Sequence, residues 1–380
     1  MMPGRGMLVL EDGSIFEGRS VAAEGEWVGE VVFNTAMAGY QEVITDPSYW
    51  GQMVCFTCPH IGNVGVNPED AESTRPHVRA VIARQITLQP SNWRSTMSLP
   101  EYLKRYGVPA LDGVDTRRLT LILRQRGVMR AALSTIDLNA ERLLEEARHA
   151  PDMSALQPIP IVSRAQVEPW REASAERWVR YADDGPRAAI APHVVVIDCG
   201  VKANILRRLI SAGARVTVAP WNATAEQLLA LHPHGLLIAN GPGDPEQAGP
   251  AIEAVRALLG ALPMLGICMG HQVLALAVGA RTYKMRFGHH GDNHPVRNLL
   301  TGAVEITSQN HNFAVDPDSL VGLPLEVTHR NLYDGTIEGL RHLTLPLTSV
   351  QFHPEAAPGP HDSLHIINTF VASLSATREA

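Results

Sequence analysis

From residue 191 onward the chain alternates short apolar runs with helical segments, and this rhythm limits the fold more than any other feature. Residues 194–197, 215–219, 235–239 and 263–267 read as strands with no polar face, and 203–211, 224–231 and 252–259 between them read as helices. Strands apolar on both sides need cover on both sides, which the intervening helices supply. The pattern predicts an α/β fold, an open and mostly parallel sheet with helices on both faces. Ligands of such sheets bind beyond the carboxyl ends of the strands. The loops after the third and fourth strands are therefore where chemistry is expected.

Residues 1–150 read differently, as a mixed α+β domain. Two apolar runs around Asp12-Gly13 predict a hairpin over 7–18, and 30–33, 53–56, 78–87 and 128–133 are further strand candidates. Ser98-Leu-Pro-Glu101 is a capping box with proline in the first turn, opening a helix through Tyr106. Residues 138–150 read as a helix with a charged, exposed face, and the Arg-rich helix over 115–126 reads as a solvated face or part of a partner-binding surface. The stretch 151–190 is proline-rich with little periodicity and reads as a linker to a domain over 191–380. At about 150 residues per domain, the length suits two or three domains.

Composition excludes several classes. With 45% hydrophobic and 19% charged residues and a net charge of −7, the chain reads as a soluble globular protein without a nucleic-acid or anionic-membrane surface. Four cysteines are too few for a disulfide framework, which points to a reducing, cytoplasmic setting. No charge interrupts the sequence between Arg256 and Arg281, a length able to span a bilayer. The same stretch holds Pro263, Gly260, Gly266, Gly270 and the polar pair His271-Gln272. A buried strand, a tight turn and a buried helix accommodate those residues better than lipid does.

The loop after the fourth strand reads Gly266-Ile-Cys268-Met-Gly270-His-Gln272. This is a G-x-nucleophile-x-G elbow with cysteine as nucleophile: a strained strand-to-helix turn needs small flanking residues. The helix start also offers N–H groups and a positive dipole end to the sulfur. In isolation the same residues describe a buried structural cysteine. A second segment changes the balance. Strand 347–352 runs into His353-Pro354-Glu355, where residues two apart project to one side and proline disfavours helix at His353. Glu355 can then hold one imidazole nitrogen while the other faces a thiol, giving Cys268–His353–Glu355. After the third strand, Gly241-Pro-Gly243 allows backbone N–H groups to face an oxyanion together with the N–H of Met269. Cys55-x-x-Cys58 near His60 lacks the paired cluster a zinc site needs and reads as strand alternation; no metal is expected. His289, His290 and His294 with Asp292 could bind a metal but read more simply as a polar loop near the domain contact.

Gly-Pro-Gly-Asp-Pro (241–245), GICMGHQ (266–272) and FHPE (352–355) resemble the class I, triad-type glutamine amidotransferases. FNTAMAGYQEVITDPSYWGQ (33–52), PHIGNVGVN (59–67), KMRFGHHGDNHPV (284–296) and QNHNFAV (309–315) look like the carbamoyl-phosphate synthase small-chain family, so the resemblance covers nearly the whole chain. It implies hydrolysis of L-glutamine through a glutamyl thioester on Cys268, with His353 and Glu355 completing the triad. It implies glutamine contacts at Ser48, Gly241, Gly243, Met269, Gln272, Asn310, Asn312 and Phe313. Met269 stands where the family usually has leucine, and Asn312 where it usually has glycine. No Gly-Lys dipeptide occurs, so the phosphate loop G-x-x-x-x-G-K-[ST] is missing. The family places ATP and Mg on a separate large chain, which uses the ammonia and bicarbonate to make carbamoyl phosphate for arginine and pyrimidine synthesis. By the same resemblance the first domain docks that chain. An amidotransferase serving another acceptor and a catalytically silent docking protein are the competing readings.

Overall fold

The computed structural model describes residues 4–175 and 191–376. It divides into two units, Met1–Leu156 with Arg286–Gly291, and Gln157–Met285 with Asp292–Ala380.

The first unit is built on a closed barrel. Its strands run in the order Gly4–Leu10, Ile15–Ser20, Ala110–Asp112, Ala80–Ile82, Gln52–Phe56, Glu26–Asn34 and Met129–Ser134, the last pairing back to the first. The expected hairpin is present: Gly13 has φ 89°, its N–H donates to the Leu10 carbonyl, and Asp12 Oδ1 accepts from Ser14 N at 2.8 Å. Leu8, Leu10, Val31, Met53, Ile82, Leu111 and Leu133 form one core cluster of this unit. Val54, Phe56 and Val81, one position along their strands, pack instead with Tyr49, Leu99 and Leu103. The strand expected over 78–87 is only Ala80–Ile82. Beyond it Asp112 Oδ1 takes the Ile86 N–H at 3.0 Å, and Ile86 forms an isolated parallel bridge with Ile61. Ser98 and Glu101 form the expected capping box at the helix Leu99–Arg105. Arg286–Gly291 returns to this unit, with Val128 N donating to the Arg286 carbonyl and Thr35 N to the His290 carbonyl, both at 3.0 Å.

The second unit carries a ten-stranded sheet in the order Val304–Val315, Thr282–Asn298, Leu325–Asn331, Ile337–His342, Leu347–Val350, Met264–Ile267, Gly235–Ile238, His193–Asp198, Arg215–Pro220 and Glu168–Trp170. The strands from Leu347–Val350 through Arg215–Pro220 are mutually parallel, and antiparallel strands extend the sheet at both ends. Alternation accounts for cover on both faces: Val194 and Val196 pack in one core, Val195 and Ile197 in the other. The stretch read as a linker holds the short helix Ile159–Val162 and the edge strand Glu168–Trp170, while 176–190 lies outside the described residues. The uncharged stretch before Arg281 forms strand Met264–Ile267 and helix Met269–Val278. Among the described residues no helix is long and apolar enough to cross a membrane.

Candidate active site

Cys268 sits where strand Met264–Ile267 turns into helix Met269–Val278, with φ 56° and ψ −107°, a left-handed conformation unusual for a residue with a Cβ. Its backbone is held on both sides. Cys268 N donates to the Val350 carbonyl at 2.9 Å, and its own carbonyl accepts from His271 N at 3.0 Å. The flanking glycines are sterically required. A Cβ on Gly266 would lie 2.5 Å from the Gly270 carbonyl oxygen, and one on Gly270 would lie 1.9 Å from that of Ile238. Gly270→Ala is therefore expected to lower stability by about 3 kcal/mol or more, measured by urea unfolding. A change under about 0.5 kcal/mol would mean the elbow has slack that these contacts deny.

Strand Leu347–Val350 lies parallel beside Met264–Ile267, which brings the following segment to the sulfur. His353 N donates to the Ser308 carbonyl at 2.9 Å, and His353 Nδ1 meets Glu355 Oε1 at 2.7 Å. The Cys268 sulfur acts on the His353 ring both through its charge and as a hydrogen-bond partner, and both raise the imidazole pKa. The thiol itself points to the Asn310 carbonyl at 3.5 Å. All three side chains are buried, with Cys268 at 2%, His353 at 3% and Glu355 at 0% exposure.

Lys202 completes the cluster. Its ammonium donates to Glu355 Oε1 at 2.9 Å and to the Ala356 carbonyl at 2.8 Å, and it is 2% exposed. Burial alone would raise the Glu355 pKa, but Lys202 and then His353 outweigh it and hold the carboxyl well below its usual range. Burial also opposes charge on His353; Glu355 overcomes it, helped by the sulfur and resisted by Lys202, and the imidazole pKa rises. Lys202 escapes a sequence reading because one lysine after a strand looks like any solvated charge. The available signal was its position, just past the carboxyl end of the strand His193–Asp198, next to Cys199 and Gly200.

The remaining expected residues divide by place. Gly241 and Gly243 form the turn after strand Gly235–Ile238; a Cβ on Gly241 would meet the Cys199 carbonyl oxygen at 2.1 Å, and Gly243 has φ 90°. Asn240 fixes this turn, accepting from Lys202 N at 3.1 Å and donating to the Gly200 carbonyl at 3.0 Å. Met269 opens the helix after Cys268, where first-turn N–H groups lack helical partners. Gln272 Nε2 donates to the Phe313 carbonyl at 2.7 Å and to Gln351 Oε1 at 2.9 Å. Asn310, Asn312 and Phe313 lie on strand Val304–Val315. Ser48 is in the first unit, buried, its N–H donating to Asp46 Oδ1 at 2.8 Å. Cys55 and Cys58 are free and buried. Cys58 Sγ points to the Met37 and His60 carbonyls at 3.5 and 3.3 Å.

Residues 195–373 match the model of the class-I glutamine amidotransferases, and residues 8–133 match that of the carbamoyl-phosphate synthase small chain, CPSase domain. The carbamoyl phosphate synthase small chain of Nostoc sp. is 50% identical over 375 residues, covering 98% of this chain and 96% of the relative. The one from Thermosynechococcus vestitus is 50% identical over 382 residues, covering 100% and 98%, and that of Listeria monocytogenes 46% identical over 373 residues, covering 98% of each. The chain belongs to the carbamoyl phosphate synthase small chain family. Within that family's two-part chain, the elbow and the His353–Glu355 segment fall in the amidotransferase part, and Ser48 falls in the CPSase part.

Proposed function

We propose that this chain is the glutamine-hydrolysing subunit of a carbamoyl phosphate synthase, converting L-glutamine to glutamate and ammonia. The observation that carries the reading is a cysteine held at a strained elbow beside a buried histidine whose far nitrogen is bound by a carboxylate. An imidazolium next to sulfur is the pairing by which thiols become nucleophiles. Cys268 gives its proton to His353 and attacks the side-chain amide carbon, and the oxygen charge that develops is met by the Met269 N–H and the Gly241–Gly243 turn. As the tetrahedral intermediate collapses, the C–N bond breaks and His353 gives its proton to the departing ammonia. Water, deprotonated by His353, then cleaves the thioester and releases glutamate. Glu355 keeps Nδ1 engaged so that Nε2 does the proton transfer, and Lys202 holds Glu355 in place. Gln272, Asn310, Asn312 and Phe313 surround the substrate's amino-acid end.

The ammonia passes to a large chain that uses ATP, Mg and bicarbonate to make carbamoyl phosphate, the precursor for arginine and pyrimidine synthesis. The chain works in the cytoplasm with that large chain as its partner.

An electrophilic glutamine analogue is expected to modify Cys268 alone, read by peptide mass spectrometry, with excess glutamine slowing the reaction. The competing thiols are poor targets: burial pushes the Cys55 thiol up to about 12 and raises that of Cys199 further. An adduct on Cys55 or Cys58 with Cys268 untouched would overturn the assignment.

A further inference from the structure

Strand Val304–Val315 touches three parts of the amidotransferase site, the His353 backbone, the Cys268 thiol and the Gln272 amide. The Ser308 carbonyl accepts from His353 N, the Asn310 carbonyl from the Cys268 thiol, and the Phe313 carbonyl from Gln272 Nε2. Any slip of this strand would misplace all three contacts together. What holds it lies on its other side. Gln309 and His311 alternate with Asn310 and Asn312 and are 2% and 6% exposed.

Their bonds are dictated by chemistry. Gln309 Nε2 lies 2.9 Å from Glu338 Oε2 and 3.1 Å from Thr307 Oγ1. A carboxylate only accepts, so the amide must turn its NH2 to Glu338 and its oxygen to His311 Nε2, 2.9 Å away. His311 Nδ1 lies 2.7 Å from the Phe313 carbonyl. The ring thus sits between two oxygens, one of its own strand's backbone and one of the Gln309 amide. Glu338 is fully buried, and its second oxygen accepts from Asn331 Nδ2 at 2.9 Å. The circuit then closes. The Glu338 carbonyl accepts from Gln351 N at 2.9 Å, and Gln351 Oε1 accepts from the same Gln272 Nε2 that binds the Phe313 carbonyl. Gln272 lies on the elbow helix, and Gln351 lies two residues before His353.

We propose that Gln309 and Glu338 are positioning residues for glutamine hydrolysis. Neither touches the reacting atoms. Through this buried hydrogen-bonded ring they hold the strand bearing Asn310, Asn312 and Phe313 in register with the elbow and with the His353 segment. The inference rests on the glutamine-hydrolysing reading above and adds the part of the fold that sets its substrate affinity.

The test is steady-state kinetics of the full chain assembled with its large chain, with glutamine and separately with ammonia as nitrogen source. Gln309→Leu keeps the volume but breaks the ring. It is expected to raise KM for glutamine about tenfold, as Glu338, Thr307 and His311 lose the amide that joins them, with kcat changed less than about threefold. Ammonia-dependent synthesis stays at the wild-type rate. Gln309→Glu sets a second carboxylate against Glu338 and raises KM further. The double variant Gln309→Glu with Glu338→Gln restores one amide facing one carboxylate in reversed order and is expected to recover KM to within about threefold of wild type. A wild-type KM in Gln309→Leu, or a double variant no better than Gln309→Glu alone, overturns the proposal. Should Gln309→Leu fail to fold, the swapped pair decides it. If Cys268→Ser abolishes glutamine use while the Gln309 variants keep a normal KM, this inference alone falls; if Cys268→Ser retains glutamine use, the hydrolytic reading falls first.

Discussion

Cys268→Ser is expected to reduce glutamine-dependent carbamoyl phosphate synthesis by on the order of 10³-fold or more, while synthesis from added ammonia by the same complex continues at its normal rate. The substitution removes one sulfur from a site whose backbone contacts all come from the main chain: Cys268 N to Val350, and the Cys268 carbonyl to His271. The elbow therefore keeps its shape and loses only its nucleophile. A serine hydroxyl beside His353 is a poor replacement, since an alcohol is far harder to deprotonate than a thiol. Retained glutamine-dependent synthesis would remove Cys268 from the chemistry. Loss of both activities would place the defect in assembly with the large chain.

Lys202→Met is expected to have the largest effect on stability outside the elbow. Removing one member of a buried ion pair leaves Glu355 charged with only His353 to oppose it, at about 3–5 kcal/mol. It should also slow glutamine turnover strongly, because Glu355 Oε1 is the one carboxylate oxygen shared by Lys202 and His353. The pH dependence has a definite sign. The folded-state pKa of Glu355 is depressed to about 2, so its contribution is complete above the ordinary carboxylate value, about 4.3, and is lost as pH falls toward the folded value. The deficit of Lys202→Met relative to wild type should thus be greatest near neutrality and begin to shrink as pH falls through about 4.3. Urea unfolding at a series of pH values checks this. A deficit independent of pH would mean that the loss comes from packing of the lysine stem and not from its charge.

Much of the second unit was legible because local pattern and global role coincide there. The doubly apolar runs became the parallel centre of the sheet, and the glycines around Cys268 have no room for a side chain. His353 and Glu355 were legible as a pair two residues apart, but not by the extended path expected: Ala356 N donates to the His353 carbonyl at 3.1 Å, so the segment turns, and Glu355 meets the imidazole from within that turn. Lys202 and Glu338 were not, since a buried charge is recognisable only through its partners, and those come from distant strands. Closure of the barrel was equally hidden. Ala80–Ile82 and Ala110–Asp112 have three residues each, too short for periodicity, and they are strands because of the neighbours that pair with them. The edge strand Glu168–Trp170 vanished into a proline-rich stretch for the same reason. The return of Arg286–Gly291 to the first unit has no local signature at all.

The insertion of Leu347–Val350 directly beside Met264–Ile267 has a consequence for biosynthesis. A ribosome delivers Cys268 well before His353 and Glu355, and the neighbouring strand that shapes the turn arrives late as well. A half-made chain therefore carries an idle sulfur. If Cys268, His353 and Glu355 act as proposed above, ammonia release waits until nearly all of the second unit has emerged and paired.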